Sequence, residues 1–459
     1  MASIESKKYH RGYSLFKSLV HTFVFMLVFA PQITERLKYV LDEILLHRFG
    51  LSYSITDKPD YFNASQTPKI NYSQELIQGC VNIPMVDLLF QETIAKQAIE
   101  VKENTYWRKI FFSKTYSEIP DFKIDTSYLP FDLLAASFYL LSRYEEYLPT
   151  KLDEHNRFKA ENSLAFQHNF LSIPLIDYWL QSFKKSIHTC YPELKLNQGK
   201  FTQINSIDID FAYKYKGLSP LSKLRKFIGS AMKGKLNLLP FYPPEKDPYD
   251  QYLFLAEAAD EKEIETIFFF LLANYGNHDK NIAPQRVEIK QLVQTLHKKY
   301  TCGIHPSYKG SLVNKLYQKE HQFFKEYTGA DARLSRQHFL KIKMPDTYVK
   351  MLKMGIEHDY TMAYSKQIGF RASTAKPFKC YHLLEEKTLD VWIHAPCLMD
   401  VTLKYALNLT IDEAKQTIKR LKETVSEVDG EFISIWHNSN LSEEENWNEW
   451  RAVYLSLFE

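Results

Sequence analysis

The sequence Asn205-Ser206-Ile207-Asp208-Ile209-Asp210 predicts the end of a buried β-strand that carries two carboxylates. It continues the stretch Lys200-Phe201-Thr202-Gln203-Ile204, which supplies the first part of the strand. Because side chains two positions apart point to the same side of a strand, Asp208 and Asp210 are expected to project together. Two carboxylates this close repel each other unless a cation or a shared proton offsets their charge. The pair is a candidate for one metal ligand and one general base, although a strand that runs into an acidic turn gives the same pattern.

The composition of the chain is that of a globular protein with several domains. Its 459 residues correspond to two or three domains of typical size, and 45% hydrophobic residues are sufficient for their cores. The net charge of +3 is too balanced to indicate binding to nucleic acid. Five scattered cysteines, none in a Cys-x-x-Cys pair, fit a reducing compartment and argue against thiolate zinc sites. We therefore expect a cytoplasmic protein.

The apolar stretch near the start of the chain has more than one interpretation. Basic residues precede it, as in a signal peptide, and a signal at residues 18–30 would make the protein exported or membrane-associated. The stretch is too short to span a membrane, and no small-x-small cleavage site follows it. We favour a buried strand at residues 26–30, followed by a helix over residues 33–49. Residues 1–25 are then expected to be a disordered extension.

Residues 26–195 are predicted to form a smaller, mixed α/β domain. Pro130-Phe131-Asp132 predicts the start of a helix with the aspartate as its N-cap, and Pro149 ends this helix. Its apolar residues recur at helical spacing, so most of the helix is expected to lie in the core. The polar loop at residues 153–158 follows it. A lone loop histidine such as His155 is more often structural than a ligand.

Residues 196–459 alternate predicted strands with predicted helices, which is typical of a parallel α/β architecture. After the first strand, further strands are predicted at residues 266–272, 300–304, 360–364 and 431–436. Helices are predicted at residues 283–298, 313–327, 345–354 and 411–425. Polar side chains follow the strands at their carboxyl ends, where α/β barrels place their active sites. These side chains are Asp208, Asp210, His305 and His437.

A basic and proline-rich insertion is predicted at residues 214–250. Seven lysines and arginines lie between residues 214 and 235, and no acidic residue occurs between Phe211 and Pro244. Apolar residues give the segment a rough helical stripe, and prolines then indicate an extended linker. This pattern indicates weak contact of residues 214–235 with a membrane surface or another anionic partner. A solvated helix on an insertion gives the same pattern.

Four motifs occur in a fixed order: Ser206-Ile207-Asp208-Ile209-Asp210, His305-Pro306-Ser307-Tyr308-Lys309, residues 370–377 with an arginine before a proline, and a strand that ends on His437. This order resembles the polysaccharide deacetylases of carbohydrate esterase family four, over residues 201–459. The chain is most similar to a divergent branch with an Asp-x-Asp first motif and an uncharacterised N-terminal α/β domain. The resemblance implies a distorted (β/α) barrel that acts on a carbohydrate or glycan.

The resemblance also implies a metal-dependent hydrolase that removes N-acetyl or O-acetyl groups. Asp210 and His305 would hold one divalent ion, and zinc is the ion that we expect. The family's second motif has another histidine where this chain has Lys309, which cannot ligate while it is protonated. We expect His338 to replace that ligand. Other candidates are His278, His358 and His394.

Three further residues take roles through the same resemblance. Asp208 would remove a proton from the attacking water as the general base. Arg371 would orient Asp208 and keep it ionised, because a neighbouring cation lowers the pKa of a carboxyl group. His437 would protonate the departing amine as the general acid. Tyr308 and Trp436 lie near strand ends and could stack on sugar rings, although core packing explains them equally well.

Two other functions fit parts of the sequence. A non-catalytic carbohydrate-binding or scaffold protein would explain the missing second histidine, but Asp208, Arg371 and His437 argue against a decayed site. Gly276-Asn277-His278-Asp279 matches a motif of two-metal phosphoesterases. Those enzymes also need Asp-x-His and Gly-Asp-x-x-Asp upstream, whereas the upstream pair here is Asp-x-Asp and the chain has no Gly-Asp-x-x-Asp. A turn after the preceding strand is the simpler explanation of that motif.

Overall fold

The structure, a computed structural model, describes residues 25–114, 127–232, 246–442 and 447–459. The extension predicted for residues 1–25 lies outside the described residues, except for Phe25, which begins the first strand. Part of the predicted insertion at residues 214–250 also lies outside them. Within the described ranges, no helix is long and apolar enough to cross a membrane.

The first sheet has four parallel strands in the order β2-β1-β3-β4. They are β1 (Phe25–Phe29), β2 (Ser52–Thr56), β3 (Lys69–Ser73) and β4 (Val81–Pro84). The strand predicted at residues 26–30 is confirmed, and all five of these residues are buried. The helix predicted after it is also present, as α1 (Glu35–Leu41) continued by a π-helical segment, Asp42–Arg48.

The rest of the N-terminal region combines several helices and one hairpin with long irregular segments. It contains α2 (Pro59–Ala64), a small hairpin of β5 (Lys102–Asn104) and β6 (Arg108–Ile110), α3 (Leu133–Leu141), α4 (Leu164–Gln167) and α5 (Leu175–Cys190). Asp132 caps α3 as predicted, since its side chain accepts a hydrogen bond from the Ala135 N–H. Every residue of α3 is buried, as its apolar pattern predicted. The helix is shorter than predicted because Arg143 adopts a left-handed conformation with φ of 54°.

The second sheet has nine strands in the order β12-β13-β11-β10-β9-β8-β7-β15-β14. They are β7 (Thr202–Ile209), β8 (Glu265–Phe270), β9 (Thr301–Ile304), β10 (Leu334–Ser335), β11 (His358–Asp359), β12 (Phe378–His382), β13 (Lys387–Ile393), β14 (Leu398–Met399) and β15 (Glu431–His437). All neighbouring pairs are parallel except β12 with β13. The parallel α/β architecture is therefore present, and closure of this sheet into a barrel stays a prediction.

Helices lie between many of these strands, although β11, β12, β13 and β14 follow one another without a helix. The helices are α6 (Pro220–Ala231), α7 (Tyr252–Asp260), α8 (Val287–His297), α9 (Tyr308–Leu312), α10 (Asn314–Thr328), α11 (Asp346–Lys353), α12 (Ile411–Glu427) and α13 (Trp450–Leu455). The strand predicted at residues 360–364 is wrong, and β11 occupies the two preceding residues instead. The chain leaves the ladder there because the Thr361 hydroxyl accepts the Gln337 N–H at 3.0 Å and bonds the Asp359 carboxylate.

The strand order explains how distant parts of the sequence meet. β7 lies between β8 and β15, and β9 and β10 follow β8 in the sheet. Because parallel strands end at the same edge, the polar residues that follow β7, β9, β10 and β15 gather at one place. The N-terminal region packs against this sheet, and one continuous cluster of buried apolar side chains joins both.

Candidate active site

Three side chains converge at the carboxyl edge of the second sheet. One ligand atom each of Asp210, His305 and His338 lies within 4.8 Å of the other two. His305 Nε2 is 3.1 Å from Asp210 Oδ1, and His338 Nε2 is 3.3 Å from Asp210 Oδ2. His305 Nε2 also lies 3.9 Å from Asp208, so the two carboxylates face one side, as the strand predicted. The group can hold one metal ion.

The second ring nitrogen of each histidine is already occupied. His305 Nδ1 donates to the Arg336 carbonyl oxygen at 2.6 Å, and His338 Nδ1 donates to the Asp279 carboxylate at 2.9 Å. Asp279 is held in turn by the Tyr308 N–H. Each Nε2 is therefore the ring nitrogen that faces Asp210, and it would be free to bind a metal once it loses its proton, which is the usual arrangement of histidines that bind a metal.

Asp210 and the histidines around it change one another's pKa values. Burial would raise the pKa of Asp210, but His338, His305 and His437 together hold it well below its usual range. Burial would lower the pKa of His338, but Asp210 and Asp279 raise it to about 9. Asp210 Oδ1 is buried and accepts no well-aligned hydrogen bond from the described residues. A buried, unsatisfied carboxylate oxygen between two imidazoles fits a site for a divalent cation.

Asp208 is held by an arginine, but not by the one that the sequence suggested. Arg336 Nη1 donates to Asp208 Oδ1 at 2.8 Å, Nη2 donates to Ser206 Oγ, and Nε donates to the Tyr360 carbonyl. The guanidinium also lies over the Phe269 ring, 4.5 Å from its centroid. These contacts fix the Asp208 carboxylate in one orientation and leave its Oδ2 directed towards the histidines.

Arg371 makes its contacts elsewhere, which corrects its predicted role. Its guanidinium donates to both carboxylate oxygens of Glu146, at 2.9 and 2.7 Å, and to the Ala363 carbonyl. Glu146 also accepts from Arg143. Because a carboxylate of the N-terminal region satisfies this buried cation, Arg371 joins the two regions and is not the partner of Asp208.

His437 also lies beside Asp210. Its Nε2 is 3.6 Å from Asp210 Oδ2, and its Nδ1 donates to Asp400 Oδ1 at 2.8 Å. Asp400 is fully buried and also accepts from the His437 N–H and from the Asn440 side chain. Burial would lower the pKa of His437, but Asp400, Asp210 and Asp208 raise it to about 10. The imidazole is therefore held in a fixed orientation and in its protonated form.

Sequence reasoning missed three residues of this site. Arg336 and Asp279 stood beside singled-out residues but received no role, and Asp400 was not considered. Arg336 and Asp400 each directly follow a strand at the carboxyl edge, and Asp279 lies in the loop after β8. The strands before Arg336 and Asp400 have only two residues each, too few for a periodic pattern.

An aromatic group forms one rim of the site. The centroids of the His278 and Tyr308 rings are 4.1 Å apart, and Phe339 and His155 contact these two rings at 5.3 to 5.6 Å between centroids. Tyr308 is partly exposed, as a sugar-stacking residue must be. Trp436 is 0% exposed, so the stacking role considered for it is wrong and its ring belongs to the core.

Comparison with known sequences gives a match for the N-terminal region alone. Residues 26–192 match the profile of a family of unknown function, DUF7033. No curated protein matches the sequence.

Solved structures with a similar arrangement share low sequence identity with this chain. A protein of Mycobacterium smegmatis assigned as a polysaccharide deacetylase is 12% identical, with a TM-score of 0.36, over 56% of this chain and 83% of its own. The polysaccharide deacetylase Bc1974 from Bacillus cereus is 11% identical, with a TM-score of 0.26, over 57% and 87%. A GH57-type branching enzyme from Pyrococcus horikoshii is 10% identical, with a TM-score of 0.31, over 56% and 66%.

Proposed function

We propose that this protein is a metal-dependent hydrolase that removes N-acetyl or O-acetyl groups from a carbohydrate. The observation that carries the proposal is the convergence of Asp210, His305 and His338 beside a second, arginine-bound carboxylate, Asp208. Mixed oxygen and imidazole ligands favour zinc. When bound, such an ion would polarise the acetyl carbonyl and make water more acidic.

The remaining residues have roles that follow from their positions. Asp208 acts as the general base through Oδ2, because Arg336 occupies its Oδ1. His437 donates a proton through Nε2 to the departing nitrogen or oxygen, and Asp400 keeps the imidazole oriented for this transfer. Asp208 and His437 are register partners on the neighbouring strands β7 and β15, so the proposed base and the proposed acid lie side by side next to Asp210.

The test compares metal content and acetate release from N-acetylated oligosaccharides in purified variants with added zinc, cobalt or nickel. Asp208→Asn should keep the metal and lose roughly a hundredfold to ten-thousandfold in rate, as expected for a missing general base. Asp210→Ala and His338→Ala should lose both the metal and the activity. His188→Ala, an exposed histidine on α5, is the matched control and should lose neither.

Other outcomes separate the alternatives. Equal metal loss in Asp208→Asn and Asp210→Ala would make both carboxylates ligands and remove the base from the mechanism. Carbohydrate binding without turnover for any metal would indicate a binding protein. Cleavage of an aryl phosphate that depends on His278 would indicate a phosphoesterase.

A further inference from the structure

A large basic cavity lies next to the candidate active site. Its volume is about 1020 Å³, and its walls come from the segment after β7, from α6 and from the segment before α8. None of the described lining residues is acidic. Five of them are basic: Lys214, Arg225, Lys226, Lys280 and Arg286. The cavity is therefore suited to a negatively charged ligand.

The chain itself connects this cavity to the site. Phe211, in the cavity wall, directly follows the proposed ligand Asp210, and Lys280 directly follows Asp279, which holds His338. Asn281 ties the two wall segments together, since its Oδ1 accepts the Ala212 N–H at 2.9 Å. One extended molecule can thus place an acetyl group at the site and a neighbouring unit in the cavity.

The carboxylates nearest to the cavity do not cancel its charge. Asp247 accepts the N–H groups of residues 214–216 at 2.7 to 2.9 Å, and Asp250 pairs with Lys216. Glu288 lies behind Gly217. By contrast, no described carboxylate forms an ion pair with three of the lining cations, Arg225, Lys280 and Arg286. These three cations are available to a ligand.

Aromatic rings accompany the cations. Tyr275 is 71% exposed, and Lys280 lies over its ring at 4.8 Å. Phe211, Tyr213 and Tyr249 also line the cavity. Aromatic rings beside a few charged groups form a site that can hold the flat face of a sugar and fix a charged substituent.

We propose that this cavity binds an anionic sugar unit, one that carries a carboxylate or a phosphate, next to the unit that is deacetylated. This inference rests on the proposed function and specifies its substrate as an acidic glycan. Lys280 and Arg286 are the residues that distinguish acidic from neutral substrates.

The experiment measures binding separately from turnover. Zinc-loaded full-length protein with Asp208→Asn is titrated calorimetrically with three N-acetylated oligosaccharides of equal length: neutral, uronate-containing and phosphorylated. The two acidic oligosaccharides should bind more tightly than the neutral one. The double variant Lys280→Ala/Arg286→Ala should bind the acidic oligosaccharides roughly tenfold or more weakly and should bind the neutral one with unchanged affinity. The control variant Lys419→Ala/Arg420→Ala also removes one lysine and one arginine, but from α12, and it should not change the affinity for any of the three oligosaccharides.

Comparing the affinities of the uronate-containing and the phosphorylated oligosaccharide identifies which anion the cavity prefers. Equal affinity of the starting protein for neutral and acidic oligosaccharides would overturn the proposal, as would equal losses in the two double variants. Binding of anionic lipid vesicles in place of either acidic oligosaccharide would overturn it too. If acidic binding depends on Lys280 and Arg286 but the protein with Asp208 intact releases no acetate, the proposed hydrolase fails while the anion site stands.

Discussion

Arg157 should control metal affinity although it does not touch the metal ligands. Its Nη1 donates to the Phe339 carbonyl at 2.5 Å, and its Nε donates to Asp153 at 2.7 Å. Phe339 directly follows the proposed ligand His338, and both Phe339 and Leu340 have left-handed φ angles, 62° and 50°. Arg157 therefore braces the strained turn that presents His338 to Asp210.

The size of the effect follows from two opposing contributions. Two non-glycine residues in the left-handed region cost about 1 to 2 kcal/mol each. A buried hydrogen bond to a charged group contributes about 1.5 to 3 kcal/mol, which largely offsets that strain. Without the guanidinium, the turn can relax in the metal-free protein, and metal binding must restore it. Arg157→Met should therefore weaken metal binding roughly tenfold to a hundredfold.

The measurement is a titration of the metal-free protein against a chelator of known affinity, together with denaturant unfolding of the same sample. Arg333→Met is the matched control, since Arg333 is exposed and pairs with Glu357 at the surface. It should change metal affinity by less than about twofold. If Arg157→Met lowers the free energy of unfolding but leaves metal affinity at the wild-type value, the bond is a stability contact only and the reasoning is refuted.

Three further outcomes are expected. Arg336→Met should keep the metal but lose activity and about 3 to 5 kcal/mol of unfolding free energy, because Asp208 is left buried without its cation; denaturant unfolding and metal content check this. Asp400→Asn should slow acetate release with unchanged metal content, because His437 loses the carboxylate that orients it. Burial lowers the pKa of His321 from 6.5 to about 4, so the folded state binds fewer protons and stability should fall as pH drops from about 6.5 to about 4. His321→Gln should abolish this part of the pH dependence, on the order of 3 kcal/mol, in unfolding curves measured across that range.

The sequence was sufficient for those features of the site that depend on local pattern. The end of β7 was predictable because an alternating strand places Asp208 and Asp210 on one side. His305 and His437 were found because each ends a strand long enough to be visible in the sequence. That His338 lies beside Asp210 agrees with its choice as the missing ligand, and its role in metal binding stays a prediction.

The partners of these residues depended on the sheet order, which no local pattern contains. Choosing Arg371 as the partner of Asp208 followed the family motif, but Arg336 reaches Asp208 past β9 and β8, over the Phe269 ring. The two residues are not on neighbouring strands, so only the sheet order and the length of the arginine side chain reveal this contact. The same limit applies to Asp400, which meets His437 only because β14 pairs with β15.

Buried charges tie the N-terminal region to the part of the chain that carries the second sheet. Arg371 is 1% exposed, and Glu146 of the N-terminal region satisfies it with two hydrogen bonds. Asp177 of the same region accepts from the Thr374 hydroxyl and the Ala375 N–H. A buried charge that loses its partner costs several kcal/mol, so each side of these pairs needs the other. With Arg157 bracing the turn after His338, the region that matches a family of unknown function forms part of the support of the proposed metal site.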